Sequence, residues 1–208
     1  MVEKLIVFVE EYSMEAALEI LLPKLLNGIN FQIIRFQCKD DMLKQLPQRL
    51  RAYSGWIPQN WSILVMVDRD DDDCRELKSK LEKYCADAGL LTKTAARTGQ
   101  RFKVINRIVI EELEAWFFGD WQAVKAAYPK VNENITNKAA YRVSDAIKGG
   151  TWEALERVFI DSGYFLTGLR KIECARSIAP HMSVESNKSQ SFKMFHQAIT
   201  HILDGSIA

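Results

Sequence analysis

The sequence predicts a mostly parallel α/β sheet flanked by helices, followed by a helical C-terminal appendage. Three observations predict it. The stretches Lys4–Val9 and Ile63–Val67 are apolar almost throughout rather than at alternate positions, as in strands buried on both faces. Apolar runs alternate with amphipathic segments of helical spacing, and strand–helix alternation belongs to parallel sheets with right-handed crossovers. From Pro129 onward the strand signal stops and only helical patterns remain. The expected division is an α/β domain over residues 1–130 and a helical appendage over 131–208, packed on it.

The first strand, Lys4–Val9, runs straight into Glu10 and Glu11. Ser13 is placed to cap a helix whose Met14, Ala17, Leu18, Leu21, Leu22 and Leu25 share one face, with Pro23 expected to bend or restart it. Phe31–Cys38 reads as a second strand, interrupted by polar residues and therefore suited to a sheet edge. Asp40 and Asp41 open a helix to Tyr53, with Met42, Leu43, Leu46 and Leu50 inward and Pro47 inside it. The third strand ends in Asp68, followed by Asp70, Asp71, Asp72 and Asp73. Cys74–Ala88 is a helix with Leu77, Leu81, Tyr84 and Cys85 inward, stopped by Gly89. Phe102–Ile110 is the fourth strand, followed by Glu111, Glu112 and Glu114. Leu113–Tyr128 is helical, with a break at Gly119-Asp120 and Trp116, Phe117 and Trp121 as core residues. Lys138–Lys148, Trp152–Phe159, Lys171–Ala179 and Gln190–Leu203 read as shorter helices.

Bulk properties narrow the function classes. The 208 residues are 48% hydrophobic and 26% charged, ordinary values for a globular protein. With a net charge of +1 the chain is no polyelectrolyte, so any nucleic-acid surface must come from local segregation of charge. Cys38, Cys74, Cys85 and Cys174 form no CxxC pair, and no His/Cys cluster has zinc spacing. Reduced thiols in a cytoplasmic protein are the expectation. No signal peptide is visible, and no apolar run approaches the ~20 residues that span a bilayer. His196 and His201 lie five apart, which does not place both on one helix face for a metal.

Carboxylates at the ends of buried strands carry the chemical signal. In an open parallel sheet the carboxyl ends of the strands lie together, and ligands bind there. Glu10, then Asp68 and Asp70, then Glu111, Glu112 and Glu114 follow three of the four strands. Asp68 and Asp70 can point the same way along an extended segment. Oxygen ligands of this kind suit a hard divalent cation, magnesium or manganese. Asp71 and Asp73 read as helix-opening acids instead. The stretch from Ala88 to Ile110 contains Lys93, Arg97, Arg101, Lys103 and Arg107 and no acid. It either holds the phosphates of a nucleic-acid backbone or forms a solvated face that offsets the acids.

VEEYS around Glu10 and VDRDDDD at Asp68 resemble the Toprim pattern of topoisomerases, primases and related nucleases. The resemblance implies a Rossmann-like fold, with Glu10, Asp68 and Asp70 as metal-binding acids and Asp72 as an extra acid. Glu11 stands where many Toprim sequences have glycine. Nearly the full chain is similar to a family of short bacterial Toprim-like proteins of unknown function, whose genes often lie beside one for an ABC-type ATPase in settings suggestive of phage defence. EELEAW from Glu111 and SQSFKMFHQAI from Ser189 are the other segments that carry this similarity. By analogy with the nuclease branch, Glu112 or Glu114 serves a second metal.

The leading expectation is a metal-dependent phosphodiester hydrolase acting on nucleic acid, DNA ahead of RNA. Glu10, Asp68 and Asp70 hold the metal, and Arg97 or Arg101 stabilises developing negative charge. The alternative is a non-catalytic regulatory subunit docked on the ATPase. A phospho-acceptor domain ranks last, because no fifth strand with a terminal lysine is found.

Overall fold

A computed structural model describes residues 1–70, 72–110 and 112–204. The expected acids Asp71 and Glu111 lie outside the described residues. Four strands, β1 (Lys4–Val9), β2 (Asn30–Arg35), β3 (Trp61–Asp68) and β4 (Val104–Val109), form one parallel sheet in the order β2-β1-β3-β4. β1 pairs in register with β2 from Lys4 opposite Asn30 to Val9 opposite Arg35, and with β3 from Lys4 opposite Trp61 to Phe8 opposite Val65. The central strands are those whose sequences are apolar throughout. Leu5 to Val9 and Ile63 to Val65 are wholly buried. β2, the polar-interrupted strand, lies at the edge, with Asn30 and Gln32 exposed.

The helices follow the strands: α1 (Tyr12–Leu25), α2 (Lys39–Ser54), α3 (Cys74–Asp87), α4 (Leu113–Gly119), α5 (Trp121–Ala127), α6 (Thr151–Asp161), α7 (Lys171–Ile178) and α8 (Gln190–Asp204). The break between α4 and α5 falls at Gly119-Asp120, and Asp120 caps α5 by accepting from the Ala123 N–H. Two expectations need correction. Ser13 is not the cap of α1: Glu11 holds that position, and Ser13 is buried within the first turn. Pro47 sits inside α2 as expected, and α1 runs on through Pro23 to Leu25 without a restart. Lys138–Lys148 is not one helix but two short 3₁₀ turns, Ala139–Tyr141 and Ser144–Ala146. Asp145 explains the difference. Its carboxylate accepts from the N–H groups of Gln190 and Ser191 and from the Ser189 hydroxyl at 2.8–2.9 Å, so the segment is held as a cap for α8 rather than free to wind up.

The chain divides into two compact units. The first comprises Met1–Glu11, Leu22–Ile108 and the C-terminal stretch from Phe195. Ile6, Phe8, Ile63, Val65 and Val67 of the sheet pack there with Met42, Leu46 and Leu50 of α2 and Leu77 and Leu81 of α3. The second comprises Tyr12–Leu21 and Val109–Met194, so residue 130 falls inside it. Its core is aromatic: Trp116 meets Phe192 edge to face at 5.1 Å, and Tyr128 packs with Phe159, Tyr164 and Phe165. Among the described residues no helix is long and apolar enough to cross a membrane. All four cysteines are free thiols.

Candidate functional site

Strand order determines where the acids of the first unit meet. From β1 the chain moves to one side for β2 and to the other for β3, so the β1/β3 boundary is a topological switch point. Crevices of this kind, at the carboxyl ends of strands, are where open α/β sheets hold ligands. Glu10 follows β1 and Asp68 ends β3. The two are joined directly: the Asp68 N–H donates to Glu10 Oε2 at 3.3 Å. Asp68 is buried and Glu10 half-buried.

Beyond Asp68 the backbone turns sharply. Asp70 has a φ of +47°, a left-handed conformation that aspartate tolerates better than most residues. The Asp72 N–H closes the turn on the Arg69 carbonyl at 3.0 Å. Asp73 is the cap of α3, accepting from the Arg75 and Glu76 N–H groups at 2.8 and 3.0 Å. The acids thus separate by role, Asp73 closing a helix and Asp68, Asp70 and Asp72 standing before it.

Lys39 is the member that sequence reasoning missed. As the first residue of α2, just after β2, it reaches across the carboxyl end of the sheet. Its Nζ lies 2.6 Å from Asp70 Oδ2 and 2.9 Å from Asp72 Oδ2, and it donates to the Arg69 carbonyl at 2.9 Å. Only 12% of its side chain is exposed. Burial opposes its charge, but the hydrogen bonds and charges of Asp70 and Asp72 outweigh it and hold the ammonium above the ordinary lysine value. No local pattern marks it: Lys39 follows β2 and its partners follow β3, with β1 between the two strands, so only the three-dimensional strand order brings them together.

Glu10 lies in a different balance. Burial, followed by the charge of Asp70, pushes its carboxyl up to about 7, against the opposing pull of Lys39 and the Asp68 N–H. Glu10, Cys38, Lys39, Asp40, Asp70 and Asp72 line an open cleft of about 370 Å³. Apart from one ammonium and one thiol, the side chains offered there are oxygen donors, a set suited to a hard divalent cation. Among the described residues, no three His, Cys, Asp or Glu side chains already close on one point as an ion-binding group. Lys39 is the cation that the acids hold.

Arg97 and Arg101 are not brought to these acids. They border the chain leading into β4, at the amino end of the sheet, where Arg101 shares a cleft with Met1, Asn60 and Ser62. The eight residues of β3 put about 23 Å between the two ends of the sheet. Glu112 and Glu114 belong to the second unit. Glu112 Oε1 pairs with Lys171 at 3.3 Å, and Glu112 Oε2 accepts from the Thr151 hydroxyl and the Trp152 N–H, tying α4 to the start of α6. Burial raises its pKa and Lys171 opposes the rise. Glu114 is fully buried in α4.

The two outer segments singled out in the sequence meet within the second unit. Trp116 Nε1 donates to Ser191 Oγ at 3.1 Å, Asn187 Nδ2 donates to the Trp116 carbonyl at 3.0 Å, and Lys188 N–H donates to the Gly119 carbonyl at 2.8 Å. Their shared role is to build that core.

Fold and site together define the class: a parallel α/β protein with a carboxylate-rich switch point between its first and third strands. Within that class, the chain belongs to the family described as Domain of unknown function (DUF4276), whose model matches residues 9–200. No curated protein and no solved structure shows a significant match.

Proposed function

We propose that the carboxyl end of the sheet is the centre of a divalent-metal-dependent phosphodiester hydrolase acting on nucleic acid, of the Toprim kind. The observation that carries this reading is the convergence of Glu10 and Asp68 at the switch point, 58 residues apart in sequence and joined by a hydrogen bond, with Asp70 and Asp72 gathered on one lysine beside them. Carboxylates at this density seek a cation.

Asp68, Asp70 and Glu10 are the residues that would hold magnesium or manganese, with Asp72 at the rim. The ion would supply an activated water and neutralise charge on the phosphodiester. Without the ion, burial and Asp70 hold the Glu10 carboxyl at about 7, so binding a cation there would release its proton. Lys39, displaced from Asp70 and Asp72, would be placed to pair with a phosphate oxygen. No part of this reading uses Arg97, Arg101, Glu112 or Glu114.

The test is manganese-dependent nicking of supercoiled plasmid by the purified chain. Wild type nicks, and Asp68→Asn loses at least a hundredfold in rate. Activity that persists in Asp68→Asn overturns the assignment.

A second reading is favoured by the Lys39 lock itself. With Asp70 and Asp72 already neutralised, the site is a structural cross-link between α2 and the β3–α3 turn, and the chain is a non-catalytic subunit. The similar family noted above, whose genes often lie beside one for an ABC-type ATPase in settings suggestive of phage defence, points to that ATPase as the partner to test. Co-purification with that ATPase, with the activity of the complex unchanged by Asp68→Asn, would select this reading.

A further inference from the structure

The amino end of the sheet in the first unit carries a surface that the proposed hydrolase chemistry does not use. Two open clefts, of about 590 and 380 Å³, share Arg101 and Phe102 as a common wall. Arg97 and Lys93 border the smaller cleft, and the Gln59-Asn60 loop borders the larger. That loop leads back to an aromatic group. Trp56 is 57% exposed, with its ring 5.1 Å from Tyr53 and 5.6 Å from Trp61. Lys4 Nζ lies 4.5 Å over the Trp61 ring. Lys103 Nζ donates to the carbonyls of Pro58 and Trp61, fixing the Trp56 loop to the basic segment.

Charge is segregated along the strands. Glu10, Asp68, Asp70 and Asp72 stand at the carboxyl end with Lys39 among them, and Lys93, Arg97, Arg101 and Lys103 gather at the amino end. Glu3 donates through its N–H to the Asn60 carbonyl, and Asp204 lies on the rim of the smaller cleft. The exposed Trp56 indole and a groove bordered by Arg97 and Arg101 stand at the same end of the sheet, a stacking platform and a set of phosphate ligands. A duplex hides its base faces, whereas a single strand presents both bases and phosphates. We infer that this end of the sheet binds single-stranded nucleic acid, with a base stacked on Trp56 and the backbone following Arg101, Arg97 and Lys93. The inference shares its polymer with the proposed function but rests on separate residues.

The test is fluorescence anisotropy of a labelled oligothymidine with the full chain in EDTA, at several salt concentrations. With no divalent cation present, failure of the metal centre cannot produce failure here. Wild type binds, and its affinity falls steeply with salt. Arg97→Ala/Arg101→Ala weakens binding at least tenfold and flattens the log–log salt slope by about 1.4, the effect of two lost phosphate contacts on a single strand. Trp56→Ala weakens binding about tenfold, in the range for one lost base stack. Arg75→Ala/Lys80→Ala, which removes equal charge from the exposed side of α3, stays within about twofold of wild type. Circular dichroism melts confirm that each variant is folded. Absence of wild-type binding at low salt overturns the inference. So does an equal loss in Arg75→Ala/Lys80→Ala, or anionic phospholipid vesicles that compete as well as the oligonucleotide and show the same dependence on Trp56.

Discussion

At the scale of residues, Glu10 makes the sharpest prediction. Its carboxyl is pushed from 4.5 to about 7, so the folded chain binds more protons there than the unfolded chain across that interval. Stability contributed by this group is therefore highest below the unfolded value, falls as pH rises from about 4.5 to 7, and is level above. A full shift of this size is worth ~3 kcal/mol, and partial exposure leaves about 1–2 kcal/mol of it. Glu10→Gln, which mimics the protonated form, should be more stable than wild type by about that amount at pH 8 and nearly equal at pH 5, measured by urea unfolding. Glu10 and Asp68 were legible in the sequence because a buried strand that ends in an acid is costly unless something answers the charge. Lys39 was not, because its partners lie more than thirty residues away (33 to Asp72) and only the strand order brings them to it. Arg97 and Arg101 were misplaced for the converse reason. Proximity in sequence to the third acidic cluster says nothing of which end of a strand a residue borders.

At the scale of elements, caps and close approaches determine what the helical region does. Gly119 ends α4 against the loop before α8. A Cβ there would collide with Asn187 Oδ1 and lie 2.6 Å from Ser189 N, neither of which can retreat without breaking its own bonds. Gly119→Ala should cost about 2–4 kcal/mol, seen as a lower urea midpoint. Asp73→Ala removes the side-chain cap of α3 and should cost about 1 kcal/mol in the same assay. Helix existence was readable for α2, α3, α6, α7 and α8 because their apolar residues recur at helical spacing. Lys138–Lys148 has similar composition, yet its Asp145 is bound to a helix start more than forty residues on, and no local pattern encodes that.

At the scale of the whole molecule, the family match and the division into units reinforce each other. The match over residues 9–200 takes in segments of both units, and the units interleave along the chain. Phe195, Ile199 and Ile202, all buried, belong with the sheet although they close the sequence, while Val109 to Lys130 belong to the second unit. A fragment ending at residue 130 lacks the first and strands the second, so it should show no cooperative thermal transition by circular dichroism. The near-zero net charge conceals an uneven distribution, with carboxylates clustered around Lys39 at one end of the sheet and Lys93, Arg97 and Arg101 gathered at the other. The central claim concerns the acidic end, that Glu10, Asp68 and Asp70 form a cation site. Isothermal titration calorimetry of manganese into the metal-free chain at pH 7.5 tests it most directly. The account predicts one saturable site, weakened at least tenfold by Asp68→Asn and tightened as pH rises through 7 and Glu10 loses its proton. Titrations in which wild type and Asp68→Asn are indistinguishable would contradict it.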